Sequence, residues 1–329
     1  MDRKRVTFSR NLFIPLTTVC RNNCHYCSFR TGIQEGCLLS KEEVRRLLEL
    51  GKERSCTEAL FTFGEHPEEV PGFLNLLSGL GFQSILDFCI ELSKESIRYG
   101  ILPHTNAGVI TYTEMEKLKP YNASMGLMLE TTADIPAHTD SPGKNPKIRL
   151  RMIEEAGQLR IPFTTGILVG IGETRDDRIQ SLLEIANLHR KYNHIQEVII
   201  QNFCPKERTG MQDRTGPERE IMCDTIQLAR DILPQDVAVQ VAPNLFDPKV
   251  LIECGANDLG GISPFTSDHI NPEHPWPTEI ELLNAIAPVK LQERLCIYPR
   301  YIEKGWFSPL IAPLIKELNA KLINEQEVK

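Results

Sequence analysis

The sequence predicts an α/β fold: a parallel (β/α)8 barrel of the TIM type, full or nearly full. Two observations lead there. Short β-rich runs alternate with helical patterns along the chain. The runs number eight, and they read as buried strands, which is how a parallel sheet covered by helices is written.

In chain order the expected strands are Leu12 to Val19, Glu58 to Gly64, Leu102 to Val109, Ala123 to Leu129, Phe163 to Gly170, Glu197 to Phe203, Val237 to Pro243 and Asp258 to Ser263. The last, "DLGGIS", has two glycines and little β-branching, so it carries the weakest strand signal. Helices between them have legible starts. Ser40 and Glu43 form a capping box ahead of Val44, Leu47 and Leu48, and Thr174 with Asp177 precedes Ile179, Leu182, Leu183 and Ala186. Apolar positions at i, i+3, i+4 and i+7 give each helix one stripe to bury.

Composition fits such a chain. Its 329 residues are 41% hydrophobic and 25% charged, with a formal net charge of -7, enough to bury a large core. We read residues 1–329 as a single barrel domain with a short N-terminal extension and a C-terminal helical tail. No run approaches the ~18 apolar residues of a membrane span, and "MDRKRVTFSR" is basic without an apolar signal core behind it. The expected location is the cytoplasm, with no membrane partner. An acidic balance without a dense Lys/Arg block argues against nucleic acid. Ten cysteines in a chain with no export signal are expected to stay reduced, as ligands, nucleophiles or core filler.

Three of those cysteines fall in "TTVCRNNCHYC", just past the first expected strand. In barrels of this kind the chemistry sits at the C-terminal ends of the strands, so Cys20, Cys24 and Cys27 are where a site belongs. Four thiolates suit tetrahedral zinc or the four corners of an iron-sulfur cube, and Cys37 is near enough in sequence to be a fourth. Three thiolates on a cube leave one iron open. Structural zinc tolerates no such vacancy, and it usually arrives as two cysteine pairs on separate turns.

The Cys-x-x-x-Cys-x-aromatic-Cys spacing resembles that of the radical S-adenosylmethionine enzymes. The resemblance implies that Cys20, Cys24 and Cys27 hold a [4Fe-4S] cluster while S-adenosylmethionine chelates the fourth iron. Electron transfer then cleaves the sulfonium and releases a 5′-deoxyadenosyl radical that abstracts hydrogen from substrate. Tyr26, the aromatic before the last cysteine, would lie beside adenine. "TFGE" resembles the family's glycine-glycine-glutamate turn, with Phe63 in the first glycine's place and Gly64 and Glu65 receiving the methionine ammonium. "GILVGIGE" resembles its Gly-x-Ile-x-Gly-x-x-Glu segment through Gly166, Leu168, Gly170 and Glu173, where glycine would let backbone approach adenine or simply relieve a packing contact. "MLETT" and "KIRLRMIEEAG" are spaced as in the biotin synthase-like branch, which implies that Glu130 accepts ribose or ammonium hydrogen bonds and that Arg149 faces the cofactor's carboxylate.

A narrower resemblance runs from about Arg10 to about Pro277. "TFGEHPE", "HTDSPGKNPKIRL" and "GGISPFTSDHINPEHPWP" are similar to the CofG-type family of cyclising subunits of 8-hydroxy-5-deazaflavin synthase. The last segment has four prolines and two glycines in eighteen residues, so it reads as a long stiff loop over the barrel mouth. The family's reaction is an ammonia-releasing radical lyase step. It closes the deazaflavin tricycle on a hydroxybenzyl dihydrouracil adduct that a sister condensing radical enzyme makes from tyrosine, and an external electron donor reduces the cluster. The sister enzyme, a menaquinone-branch relative and a zinc-held interaction protein are the competing readings. By position near strand ends, Asn106, Gln201, Asn244 and Asp268 are candidates for holding the small-molecule substrate. Cys37, Cys56, Cys89, Cys204, Cys223, Cys254 and Cys296 read as packing residues, and His25 and His104 as incidental.

Overall fold

The computed structural model describes residues 5–36 and 38–328; Cys37 lies outside them. Nine strands form one parallel sheet: β1 (Arg5–Thr17), β2 (Glu58–Phe63), β3 (Leu102–Asn106), β4 (Ser124–Gly126), β5 (Phe163–Val169), β6 (Ile195–Asn202), β7 (Ala238–Gln240), β8 (Asp258–Ile262) and β9 (Lys290–Glu293). Strands β1 to β8 pair in sequence order, and β1 pairs with both β2 and β8, so the barrel closes. The eight expected strands are all present, several of them shorter than expected. Even "DLGGI" is a strand, because tertiary pairing with β1 overrides its weak propensity.

The helices α1 (Lys41–Glu53), α2 (Phe73–Gly79), α3 (Ile85–Arg98), α4 (Tyr112–Leu118), α5 (Pro146–Gln158), α6 (Arg175–Tyr192), α7 (Arg219–Ile232), α8 (Pro248–Glu253) and α9 (Glu279–Ile286) fill the crossovers. Capping boxes start α1 at Ser40 and α6 at Thr174, as the sequence indicates, and two more start α4 at Thr111 and α9 at Thr278. Each box satisfies backbone N–H groups that the first turn leaves without partners.

Two features depart from expectation. β1 begins at Arg5, so the residues expected to precede the barrel run inside it. Along one edge of β1, Arg5–Phe8 pairs with β9 and Asn11–Thr17 pairs with β2, the two partners lying end to end. From β9 the chain crosses beneath the barrel. Arg294 there is buried against Glu197 and Asp258, Tyr298 donates to both carboxylates, and the carbonyl of Cys296 accepts from Ser124 and Gln196. Beyond it, α10 (Pro299–Glu303) and α11 (Ala312–Val328) bury Tyr301, Ile311 and Ile315 under the strand starts at Leu102 and Ala123. Residues 290–328 thus form a floor to the barrel, which leaves the C-terminal mouth for a site.

The second departure concerns thiols. Cys223 in α7 and Cys254 just past α8 form a disulfide, their Cα atoms 5.2 Å apart, where packing residues in reduced form were expected. Adjacent helices on the barrel's outer ring bring the two together across 31 residues of sequence, a proximity that composition does not reveal. Cys56, Cys89 and Cys296 are buried and free, as expected of filler.

Candidate active site

At the C-terminal ends of the strands lies a cavity of about 310 Å³. Cys20, Cys24, Cys27, Tyr26, Gly64, Glu65, Asn106, Glu130, Arg149 and Gln201 all line it, drawn from segments more than 180 residues apart. Much of the wall is apolar, with Phe13, Leu60, Phe63, Met128, Leu168 and Phe203. The three thiols are free and share this wall. Among the described residues no three His, Cys, Asp or Glu side chains converge on one metal ion. The ligands of a cube need not converge so, because they bind separate irons. The wall fits such a cluster in other respects. The backbone N–H of Glu65 donates to Cys20 Sγ at 3.2 Å, a contact suited to a thiolate. Burial, then the neighbouring Cys24, pushes Cys27 up to about 11, so that thiol ionises only with cations at hand. Thr62 Oγ1, also on the wall, is buried without a partner and open to a bound group.

Gly64 is a steric necessity. A Cβ there would stand 2.0 Å from the carbonyl oxygen of Val19 and 2.7 Å from Cys20 Cβ. The turn after β2 therefore presses directly on the segment that carries the first cysteine. Glu65 next to it packs where Gly108 and Gly143 leave room, since a Cβ on Gly143 would fall 1.5 Å from Glu65 Oε1. Its carboxylate accepts from Val109 N–H at 2.9 Å and from Arg21 at 3.0 Å, and lies 3.5 Å from Arg149. Burial opposes its charge, but Arg149, Val109, Asn22 and Arg21 together hold its pKa below the ordinary value.

Arg149 itself is buried, donating to the carbonyls of Met128 at 2.6 Å and Gly143 at 2.8 Å. Glu130 has φ of +68°, an uncommon conformation for a side-chain-bearing residue. It bridges to β5 and pairs with Lys144, whose ammonium also stands 5.9 Å over the Tyr26 ring. Burial would raise the Glu130 pKa, yet Lys144 and Arg149 bring it down. Tyr26 shares a 3.0 Å hydrogen bond with His138, whose pKa burial and Lys144 depress to about 4, so that ring is neutral near pH 7. The carboxylates of Glu65 and Glu130 with the cations of Lys144 and Arg149, on a cavity wall that is otherwise largely apolar, can hold a zwitterionic headgroup by charge-assisted bonds.

Other expected residues stand elsewhere. Gly166 lies in β5 where a Cβ would meet Ile199 and Met128, a packing contact. Gly170 has φ of +98°, and a Cβ there would meet Pro217 rather than the cavity. Glu173 accepts from the N–H groups of Gly170 and Ile171 at 2.9 Å and pairs with Arg178, so its carboxylate closes the turn instead of facing a ligand. Asp268 likewise accepts from the N–H groups of Ile270 and Asn271 and from the side chains of Asn244 and Asn271. Asp268 and Asn244 therefore organise the 263–277 loop, which delivers Ile270 and Asn271 to the cavity. The loop lies over the mouth as expected, with Thr266 accepting from Phe13 N–H and His269 against the Phe13 ring.

Sequence reasoning gave no role to Asn22, Lys144, His138 or Lys206, although the first three lie within the quoted segments. It also took Cys204 for packing and His104 for incidental. Cys204 lines the cavity, its pKa raised by burial, and His104 is buried inside the barrel against Ser124 and Asn106.

Comparison with known proteins agrees with this geometry. Residues 14–185 match the Radical SAM superfamily. The solved structure of HydG, a maturase of the [FeFe]-hydrogenase, has a TM-score of 0.70 at 17% identity across 95% of this chain and 69% of that one. Methylornithine synthase gives 0.58 at 17% identity across 93% and 84%; both show the fold alone. A protein of Methanosphaerula palustris named 7,8-didemethyl-8-hydroxy-5-deazariboflavin synthase is 62% identical over 322 residues, covering 98% of each chain. One of the same name from Archaeoglobus fulgidus is 51% identical over 317 residues, 95% of this chain and 97% of that. With the triplet of thiols at the barrel mouth and near full-length identity on both sides, the chain belongs to the radical SAM superfamily and, within it, to the family of 7,8-didemethyl-8-hydroxy-5-deazariboflavin synthases.

Proposed function

We propose that this chain is the cyclising radical lyase of deazaflavin biosynthesis. It takes the 5-amino-5-(4-hydroxybenzyl)-6-(D-ribitylimino)-5,6-dihydrouracil adduct and closes it to 7,8-didemethyl-8-hydroxy-5-deazariboflavin with loss of ammonium. Family membership brings a [4Fe-4S] cluster and S-adenosylmethionine as cofactors, which when bound supply the radical that abstracts hydrogen. Cys20, Cys24 and Cys27 would hold the cluster. Glu65, Glu130 and Arg149 would grip the charged headgroup of S-adenosylmethionine, and the apolar wall would keep water from the reacting atoms.

The observation that carries this reading is the 62% identity over 98% of both chains with a relative named for that product. A sister condensing enzyme that delivers the adduct, an external reductant and a cytoplasmic setting belong to the same reading. Among the described residues no helix is long and apolar enough to cross a membrane.

The test is an anaerobic assay. Reduced protein given S-adenosylmethionine and the adduct should yield fluorescent deazaflavin, 5′-deoxyadenosine and ammonium. Consumption of free tyrosine with a diaminouracil, stopping at the uncyclised adduct, would identify the condensing half of the pathway instead.

A further inference from the structure

Below the thiols the cavity continues into the barrel. A lower chamber of about 150 Å³ is lined by Ser9, Asn11, Glu58, His104, Thr164 and Gln240, and it shares Asn106 and Gln201 with the cavity above. Barrel interiors of this type are ordinarily filled by layers of branched apolar side chains. Here the space, on the order of five water volumes in size, is open, and polar side chains stand among the apolar ones of its wall.

Its hydrogen-bonding capacity is unfilled. Among the described residues, no protein group bonds to the side-chain amides of Asn11, Gln201 or Gln240. The indole N–H of Trp276, delivered by the 263–277 loop, is buried without an acceptor. Buried donors of this kind are ordinarily paired. Acceptors share the wall with them: Glu58 accepts from Ser9 through one oxygen, while Glu197 already accepts from Thr164, Arg294 and Tyr298. The charge balance excludes an anion. Three carboxylates, Glu58, Glu197 and Asp268, face the chamber, and its cation, Arg294, is already held by Asp258 and Glu197.

A wall that offers both donors and acceptors, with no free cation among the described residues, matches hydroxyl groups, each of which both donates and accepts. We propose that the lower chamber is a subsite for an uncharged polyhydroxylated chain of the substrate, which holds the rings above it against the apolar wall beside Cys20, Cys24 and Cys27. This rests on the proposed function, because the ribityl chain of a deazariboflavin is such a chain.

The test is equilibrium dialysis of the reconstituted holoenzyme with three ligands: 7,8-didemethyl-8-hydroxy-5-deazariboflavin, its analogue with methyl in place of the ribityl chain, and its 5′-phosphate. Wild type should bind the ribityl compound at least about 10-fold more tightly than the methyl analogue, since each polar pair is worth a few-fold to tenfold. The 5′-phosphate should bind more weakly than the ribityl compound. In Gln240→Leu and in Trp276→Phe, which keeps an aromatic ring of smaller size and loses the N–H, the ribityl advantage should shrink while affinity for the methyl analogue stays within about twofold. Equal affinity for the ribityl and methyl compounds in wild type overturns the proposal, as does tighter binding of the phosphate or an equal loss for both ligands in the variants. Binding as described by a protein that fails to cyclise the adduct refutes the proposed reaction and leaves the chamber standing.

Discussion

Glu65 donates its backbone N–H to the sulfur of Cys20 while its carboxylate faces the guanidinium of Arg149, so one residue joins the first thiol to the cationic side of the cavity. The two roles are separable. Glu65→Gln keeps the N–H and removes the counter-charge of a buried arginine. Iron content should therefore survive, while stability of the cluster-free protein in urea falls by about 3 kcal/mol or more, as when one partner of a buried pair is lost. Unchanged stability would mean that Arg149 is neutralised elsewhere.

Each of Cys20→Ala, Cys24→Ala and Cys27→Ala should lose most of the iron and sulfide, because a cube left with two protein ligands is not held. Cys204→Ala is the stringent control, since that thiol lines the same cavity. Full iron in Cys24→Ala, or loss in Cys204→Ala, would show that the ligands are assigned wrongly.

Gly64→Ala should disturb the cluster without replacing a ligand. The new methyl would collide with Val19 and Cys20, shifting the segment that positions the first thiol. Gly32→Ala, whose methyl would meet nothing within 4 Å, should leave iron content and melting temperature near wild type. Comparable iron in both variants argues against this coupling.

Asp268→Ala should retain cluster and cofactor cleavage but form less deazaflavin per 5′-deoxyadenosine released. Its carboxylate ties the 263–277 loop together through Ile270, Asn271 and Asn244, away from the thiols. Product and 5′-deoxyadenosine measured together decide the matter; a fall in both by the same factor would place the defect in cofactor binding.

Stability should carry a signature of Glu293. Burial, against the pull of Arg10, pushes its pKa up from 4.5 to about 7. A carboxyl whose folded pKa is raised contributes stability that is full below about pH 4.5 and lost as pH rises through about 7. Urea midpoints should therefore decline across that window, by at most about 1.4 kcal/mol per pH unit from this group. Glu293→Gln should flatten the slope, and identical slopes would remove Glu293 as the cause.

The sequence is legible where a local rule and the tertiary context agree. Ser40 and Thr174 announce helix starts by hydrogen bonds that form within four residues. Cys20, Cys24 and Cys27 announce a site because ligand spacing is itself local. The residues misread are those whose partners are distant or whose role is already filled by neighbours. Glu173 matches a family segment, yet two residues of its own turn, Gly170 and Ile171, complete it. Lys144 and His138 acquire meaning only beside Glu130 and Tyr26, which β4 and the first loop bring to them. β9 is four residues with charges at both ends, "KLQE", and becomes a strand only because Arg5–Phe8 offers it an edge.

The end-to-end seating of β9 and β2 along β1 fixes an order of assembly. Cys20 through Arg149, every residue assigned here to the cluster and its headgroup, emerges from the ribosome about 140 residues before Lys290, the start of the floor. Until those last segments are made, Arg5–Phe8 has no partner on that edge, and the buried acids Glu197 and Asp258 lack Arg294. The half of the molecule that receives iron is thus complete while its lumen still stands open below, and the contact that seals it is among the longest-range in the chain, the kind that forms late.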